Sequence, residues 1–139
     1  MKNAFTMIEL VFVIVVIGIL SVVAIPKLAP IVGNAKDTKA MSTLASVRSA
    51  VSTERQKQIL QGQFGALAIT NDTNRVFSSF TASGNSVLEY DIKDCTHNGC
   101  WHHNSGTYTY YGSGETCTFE LDSNRFEDKT DGGCTTLVH

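Results

Sequence analysis

The sequence has no basic excess. Its eleven Lys and Arg are outnumbered by thirteen Asp and Glu, a formal net charge of −2 over 139 residues. From Ile31 to His139 the balance is nine to twelve. Electrostatic capture of nucleic acid needs a basic face, so that class of partner is not indicated. No cysteine precedes Cys95, and no charge interrupts Leu10 to Ile25. An enzyme is not indicated either, because no nucleophile, base and orienting group recur in a recognisable local motif. Charged residues make up 17% and hydrophobic residues 42%, which fits a folded protein rather than a disordered one. At this length one domain is expected, with a small appendage at most.

The apolar content is concentrated at the front, in "AFTMIELVFVIVVIGILSVVAIPKL" (Ala4 to Leu28). A helix over the uncharged Leu10–Ile25 would cover about 24 Å, short of a hydrocarbon core of about 30 Å. Starting at Phe5 lengthens it to about 31 Å, so spanning takes in the turn that carries Glu9. Lys2 upstream gives only a slight bias toward a cytoplasmic N-terminus, since Lys27 lies just downstream. A cleaved secretory signal ending at Val22-Val23-Ala24 is one reading, and a plain anchor with Glu9 reaching to the headgroups is another. Neither predicts a carboxylate at this place. Pro26 lacks an N–H and crowds the carbonyl of Val22, so a kink or loosening is expected there. Pro30 frees the carbonyl of Pro26 in the same way.

Beyond the apolar run, Ala40, Leu44, Val47 and Val51 recur at helical spacing, predicting an amphipathic helix over Ile31–Gln61. Asp37 and the nearby Ser, Thr and Gln residues are placed mostly off that stripe, and Gly62 is the expected stop. The Ser-, Thr- and Asn-rich stretch from Gln63 to Asn85 reads as a long surface connection, and its Asn71-Asp72-Thr73 sequon carries little weight. Strands are predicted at Val87–Ile92, Thr107–Tyr111 and Thr116–Leu121, with "GSGE" and "DSN" as turns. Three or four antiparallel strands need a helix behind them to bury their apolar face.

Four cysteines behind a hydrophobic segment suggest two disulfides and an oxidising compartment. Three connectivities are open, and Cys95–Cys100 with Cys117–Cys134 is preferred. "CTHNGCWHH" (Cys95 to His103) is the stretch that invites a metal hypothesis, although its C-x4-C spacing matches no common zinc pattern. Trp101 reads as a packed lid, His102 and His103 as exposed loop residues. Asp122, Asp128 and Asp131 sit in an oxygen-rich loop without EF-hand spacing, which makes them weak calcium candidates; otherwise no cofactor is expected.

"FTMIEL", the apolar run and "AIPKL" together resemble the N-terminus of type IV pilins and type II secretion pseudopilins. The resemblance covers about the first 30 residues. It implies that a prepilin peptidase cuts between Ala4 and Phe5, removing Met1 to Ala4 as a leader, and that Phe5 is then N-methylated. Ala4 departs from the family's usual glycine; alanine is the next smallest side chain, so processing is still expected. Residues 5–30 would be the transmembrane and assembly helix and 31–139 a soluble α+β domain: a long helix packed on a small antiparallel sheet, pilin-like. Glu9, one turn from the new Phe5 amine, would pair with the amine of a neighbouring subunit and set the register of assembly. Gly18 to Pro26 would be unwound in the filament.

Implied partners are homologous subunits, prepilin peptidase and an inner-membrane assembly platform. The expected location is the bacterial inner membrane, single pass, with the C-terminal domain periplasmic, then a periplasmic pseudopilus or an extracellular pilus. Glu9 favours a subunit of the filament body. Pilus, DNA-uptake and secretion machinery all remain compatible with so small a domain. The rival function is a membrane-anchored extracytoplasmic binding protein using the Cys/His loop for metal. If the resemblance holds, mass spectrometry of the mature chain will find N-methylated Phe5 as its first residue; any other N-terminus removes the main support for it.

Overall fold

Helix α1 spans Met7–Leu60. Thr6 caps its start: the Glu9 N–H reaches both the Thr6 hydroxyl (3.4 Å) and the Thr6 carbonyl (3.1 Å), satisfying a donor that the first helical turn otherwise leaves open. Gly62, at φ 73°, ends it. There Gly62 N–H bonds to Ile59 O (3.0 Å) and Gln63 N–H to Gln58 O (2.8 Å), the paired closure that a left-handed glycine permits. The structure, a computed structural model, describes Phe5 to Val138, so the expectations for Ala4 and the leader lie outside the described residues. The chain divides into two compact units, one ending at Val32 and the other beginning at Gly33.

In the first unit every described side chain is exposed. This stretch of α1 is long and apolar enough to cross a membrane, and none of its most apolar window is buried. The helix continues through Gly18, Pro26 and Pro30 without interruption. The expected loosening therefore does not break the helix; each proline removes one donor, and the surrounding bonds carry the conformation. Ser21 returns its hydroxyl to Ile17 O (2.8 Å), so this polar side chain is satisfied by its own helix.

The second unit is built on the rest of α1. Its buried positions are Asp37, Ala40, Leu44, Val47, Val51, Glu54 and Gln58, an unbroken alternation of three- and four-residue steps. That spacing holds one side of a helix toward a partner over several turns. A four-stranded antiparallel sheet supplies the partner: β5 (Cys100–Asn104), β6 (Thr107–Tyr111), β7 (Thr116–Asp122) and β8 (Arg125–Asp128), adjacent in that order. Four short strands precede it: β1 (Ile69–Thr70) pairs with β3 (Ser79–Phe80), and β2 (Arg75–Val76) with β4 (Ile92–Lys93). The unit is α+β. Ser123 and Asn124, at φ 49° and 63°, form the two-residue turn into β8, where right-handed strand twist favours two left-handed residues.

Three expectations are corrected. The predicted strand Val87–Ile92 is not formed except at its last residue. After the Ser79–Ser86 bridge and the Val87 N–H to Ser78 O bond, the backbone turns through bends and Tyr90 stays 78% exposed; alternation makes a strand only where a neighbour pairs with it. "CWHHN", read as loop, is the edge strand β5, in register His102 to Thr109 and Trp101 to Tyr110. The stretch Gln63–Asn85, read as surface connection, sends Leu67, Val76, Phe77 and Phe80 into the core.

Phe77 is the least expected of these. Its ring stacks on Tyr108 (centroids 4.5 Å apart) and meets Trp101 (5.3 Å) and Phe126 (5.6 Å) edge-on. Its backbone sits at φ 58°, a costly region for a bulky side chain. The Asn71 side-chain oxygen holds it there by accepting the Phe77 N–H at 2.7 Å. Trp101 belongs to the same cluster, touching Tyr110 and Phe119, and is core rather than lid. Phe77→Ala is expected to cost about 3–5 kcal/mol through the cavity it leaves, read as a lowered thermal midpoint in near-UV circular dichroism of the detergent-solubilised chain. An unchanged midpoint would remove Phe77 from the centre of the core.

Candidate functional site

The candidate residues fall into separate groups. Phe5, Glu9 and Gly18 line the exposed apolar stretch, with Phe5 78% accessible. A Cβ added at Gly18 would meet nothing within 4 Å, so its lack of a side chain leaves an open notch on the helix. Among the described residues the Glu9 carboxylate has no cationic partner. Sequence reasoning missed Thr6, although Thr6-Met7-Ile8-Glu9 has the S/T-x-x-E spacing of a capping box that could have found it.

The loop from Cys95 to Cys100 is closed by a disulfide, with Cα atoms 5.5 Å apart. Its backbone is also held without the sulfurs. Cys95 N–H donates to Trp101 O (3.0 Å), Cys100 N–H to His97 O (3.1 Å) and Gly99 N–H to Tyr111 O (2.7 Å). Lys36 reaches Asn98 O at 3.1 Å. Its stem passes so close to Gly99 that a Cβ there would overlap Lys36 Cδ, and Gly99 also sits at φ 85°. Both facts require glycine. Within this loop His97 Nδ1 lies 2.8 Å from Cys100 Sγ.

His102 and His103 are strand residues with fixed partners. His102 Nδ1 meets Asp94 Oδ1 at 2.6 Å, and the other Asp94 oxygen accepts the His103 N–H at 3.2 Å. Gly106 N–H donates to His103 Nε2 (3.1 Å). Partial burial lowers the pKa of His103, against the opposing pull of Asp94. Trp101 Nε1 is buried and finds no hydrogen-bond partner among the described residues.

Cys117 and Cys134 form the second disulfide, Cα to Cα 5.3 Å, and both are buried. The acidic candidates nearby do not gather. Asp122 binds Lys129 at 3.0 Å, Asp128 accepts the N–H groups of Thr130 (2.8 Å) and Cys134 (2.7 Å), and Asp131 is exposed. Among the described residues these three carboxylates form no metal-sized cluster. Asp128 is a loop staple: despite burial, its hydrogen bonds from Thr130 and Cys134 lower its pKa. The sequon is likewise occupied, with Asn71 Nδ2 donating to the Tyr108 hydroxyl at 2.7 Å.

Two buried carboxylates on α1 were not anticipated. Asp37, expected off the stripe, accepts the Tyr110 hydroxyl (2.9 Å) and the Ser113 N–H (3.3 Å) on one oxygen and the Ser113 hydroxyl on the other. Burial, reinforced by the hydrogen bond and charge of Asp37, raises the Tyr110 pKa. Glu54 accepts Asn85 Nδ2 at 3.1 and 3.4 Å and pairs with Lys57 at 3.7 Å. The signal was available: Asp37 lies three residues before Ala40 and Glu54 three after Val51, continuing the stripe at both ends.

Comparison with family models, curated proteins and solved structures found no match. The residue geometry therefore carries the functional argument.

The hydrogen bond from Ser83 leads the causes that hold the Glu54 pKa below the usual 4.5, with Asn85 and Lys57 assisting against the cost of burial. A carboxylate depressed in the folded state adds stability above its unfolded pKa and loses it as pH falls through the folded value. Stability of the domain should therefore decline as pH drops below about 4.5. Glu54→Gln should flatten that part of the stability–pH curve in denaturant titrations; an unaltered acid slope would exclude Glu54 as a contributor.

Proposed function

We propose that this chain is a structural subunit of a type IV pilus or type II secretion pseudopilus. On this reading a prepilin peptidase removes the leader before Phe5, the new N-terminus is methylated, and an inner-membrane platform draws the subunit into a filament. The chain catalyses nothing itself. The observation that carries the reading is residues 5–32: an apolar stretch, helical from Met7 and exposed throughout, with one carboxylate a turn from Phe5. In lipid such a helix is stable as a span, and beside other subunits it offers an unbroken packing surface. Two charges that are each costly in a bilayer, the Phe5 amine and Glu9, become one pair when helices stack with an axial offset. The α+β layout of the second unit, a helix against a small antiparallel sheet, suits a pilin-like domain.

The rival reading, a metal-binding anchored protein, draws on the Cys/His loop from Cys95 to His103. Its two cysteine sulfurs are bonded to each other, so the oxidised loop offers no thiolate to a metal. Glu9→Ala separates assembly from maturation. Cleavage and methylation at Phe5 should continue, while the fraction recovered in sheared filaments falls at least about tenfold, the equivalent of about 1.4 kcal/mol in subunit pairing. Normal incorporation would defeat the pairing argument.

A further inference from the structure

The Cys95–Cys100 loop and the Cys117–Cys134 bridge are chemically unlike. Cys117 and Cys134 are buried at 0% and 3% exposure, and the carboxylate beside them, Glu115, is occupied by Thr135 and Thr136. Cys100 is also buried, at 5% exposure, but Cys95 is half-buried and His97 exposed, so a small reductant can reach the first bridge from the Cys95 side. Ligand atoms of Cys95, His97 and Cys100 lie within 4.8 Å of one another, close enough for one cation to meet all three after small side-chain rotations.

We propose that Cys95, His97 and Cys100 form a redox-gated site for a soft divalent cation such as zinc, closed by the disulfide and opened by its reduction. A dithiol reductant supplies two electrons and two protons. The S–S bond breaks, each cysteine sulfur takes one proton, and the dithiol leaves as its own disulfide. The metal then displaces both thiol protons and binds two thiolates and the imidazole. A fourth position is left to solvent.

The loop is built to survive its own reduction. Three backbone hydrogen bonds and the Lys36 contact to Asn98 O close it independently of the sulfurs. Asp94 and Trp101 join its two ends by a parallel bridge. Opening the bond thus leaves the ligands near each other, a preorganised site whose chain ordering is already complete. The Cys117–Cys134 bridge, sealed in the core, is expected to stay closed under the same treatment. The inference does not depend on filament assembly, and its test does not involve it.

The experiment uses the full chain in detergent micelles. Mild dithiol treatment without denaturant, followed by alkylation and peptide mass spectrometry, should label Cys95 and Cys100 and spare Cys117 and Cys134. After removal of the reductant under anaerobic conditions, cobalt(II) should bind one per chain, with thiolate-to-cobalt charge-transfer absorption. The oxidised chain should show none. His97→Ala should weaken binding at least about tenfold, since loss of a group that only supports a ligand already costs that much. Cys95→Ser/Cys100→Ser should keep a cooperative thermal transition while losing the charge-transfer band. Labelling of all four cysteines together, absence of the band after reduction, unaltered affinity in His97→Ala, or failure of the double variant to fold would each overturn the proposal.

Discussion

One helical face has to close a sheet too small to close itself. In the unit from Gly33 onward, four antiparallel strands bury Trp101, Tyr108, Tyr110, Phe119 and Phe126 against Ala40, Leu44, Val47 and Val51 of α1. The helical side chains at this contact are small or branched, and the aromatic volume comes from the strands and from Phe77. Apolar contact alone is not directional, so it leaves the helix free to slide along the sheet. Asp37 and Glu54, near the two ends of the buried stripe, remove that freedom. Asp37 fastens α1 to the β6–β7 hairpin through Tyr110 and Ser113, and Glu54 fastens it to the β3 region through Asn85. Each is buried with partners, which makes a shift of one turn costly at both ends: it would strand a charge without its hydrogen bonds.

Much of this was legible in the sequence where a single period governed a long segment. The stripe from Ala40 to Val51 and the alternation of Thr116 to Leu121 report local geometry directly; β7 lies where that alternation put it, and β6 where the aromatic, threonine-rich run Thr107 to Tyr111 put it. What was not legible depended on partners distant in the chain. Val87–Ile92 has a strand's pattern but no neighbour, whereas Cys100–Asn104 has two adjacent histidines yet becomes an edge strand because β6 pairs with it. Phe77 joins the core through a left-handed backbone that Asn71 stabilises from six residues away. The candidate site divides in the same way. Thr6 and Glu9 carry the spacing of a helix start, a local signal that went unread, whereas nothing in "CTHNGC" indicates that Lys36 runs beneath Gly99.

The two disulfides illustrate how one chemistry takes two structural roles. Cys117–Cys134 ties the C-terminal segment, with buried Leu137, to the central strand β7. Its loop spans 17 residues, and closing a loop of that order removes about 3 kcal/mol of chain entropy from the unfolded state. Cys95–Cys100 spans five and lies in a loop already bonded end to end. Its entropic contribution is smaller because closing a shorter loop removes less freedom from the unfolded chain. The bond that the fold needs least is also the more accessible one, and the histidine stands beside it.

Glu9 has two physical roles whose magnitudes differ. At the start of α1 its charge faces the positive end of the helix, a gain of about 0.3–1 kcal/mol. Carried to the middle of a bilayer, the same carboxylate costs about 2.5–3.5 kcal/mol on insertion scales. The helix-end gain does not offset that cost, and neither does the cap, because Thr6 can receive the Glu9 N–H whatever side chain stands at position 9. A glutamate in an otherwise apolar stretch is therefore a net liability to an isolated span. It becomes favourable only with a cation at its own depth, and within one turn the chain has a single source of one: the amine that cleavage before Phe5 would create. A subunit's own amine would neutralise Glu9 locally without selecting any neighbour. An axially offset neighbour's amine would neutralise it and fix the stagger between helices at once, so the proposed filament turns a cost of insertion into a condition for assembly.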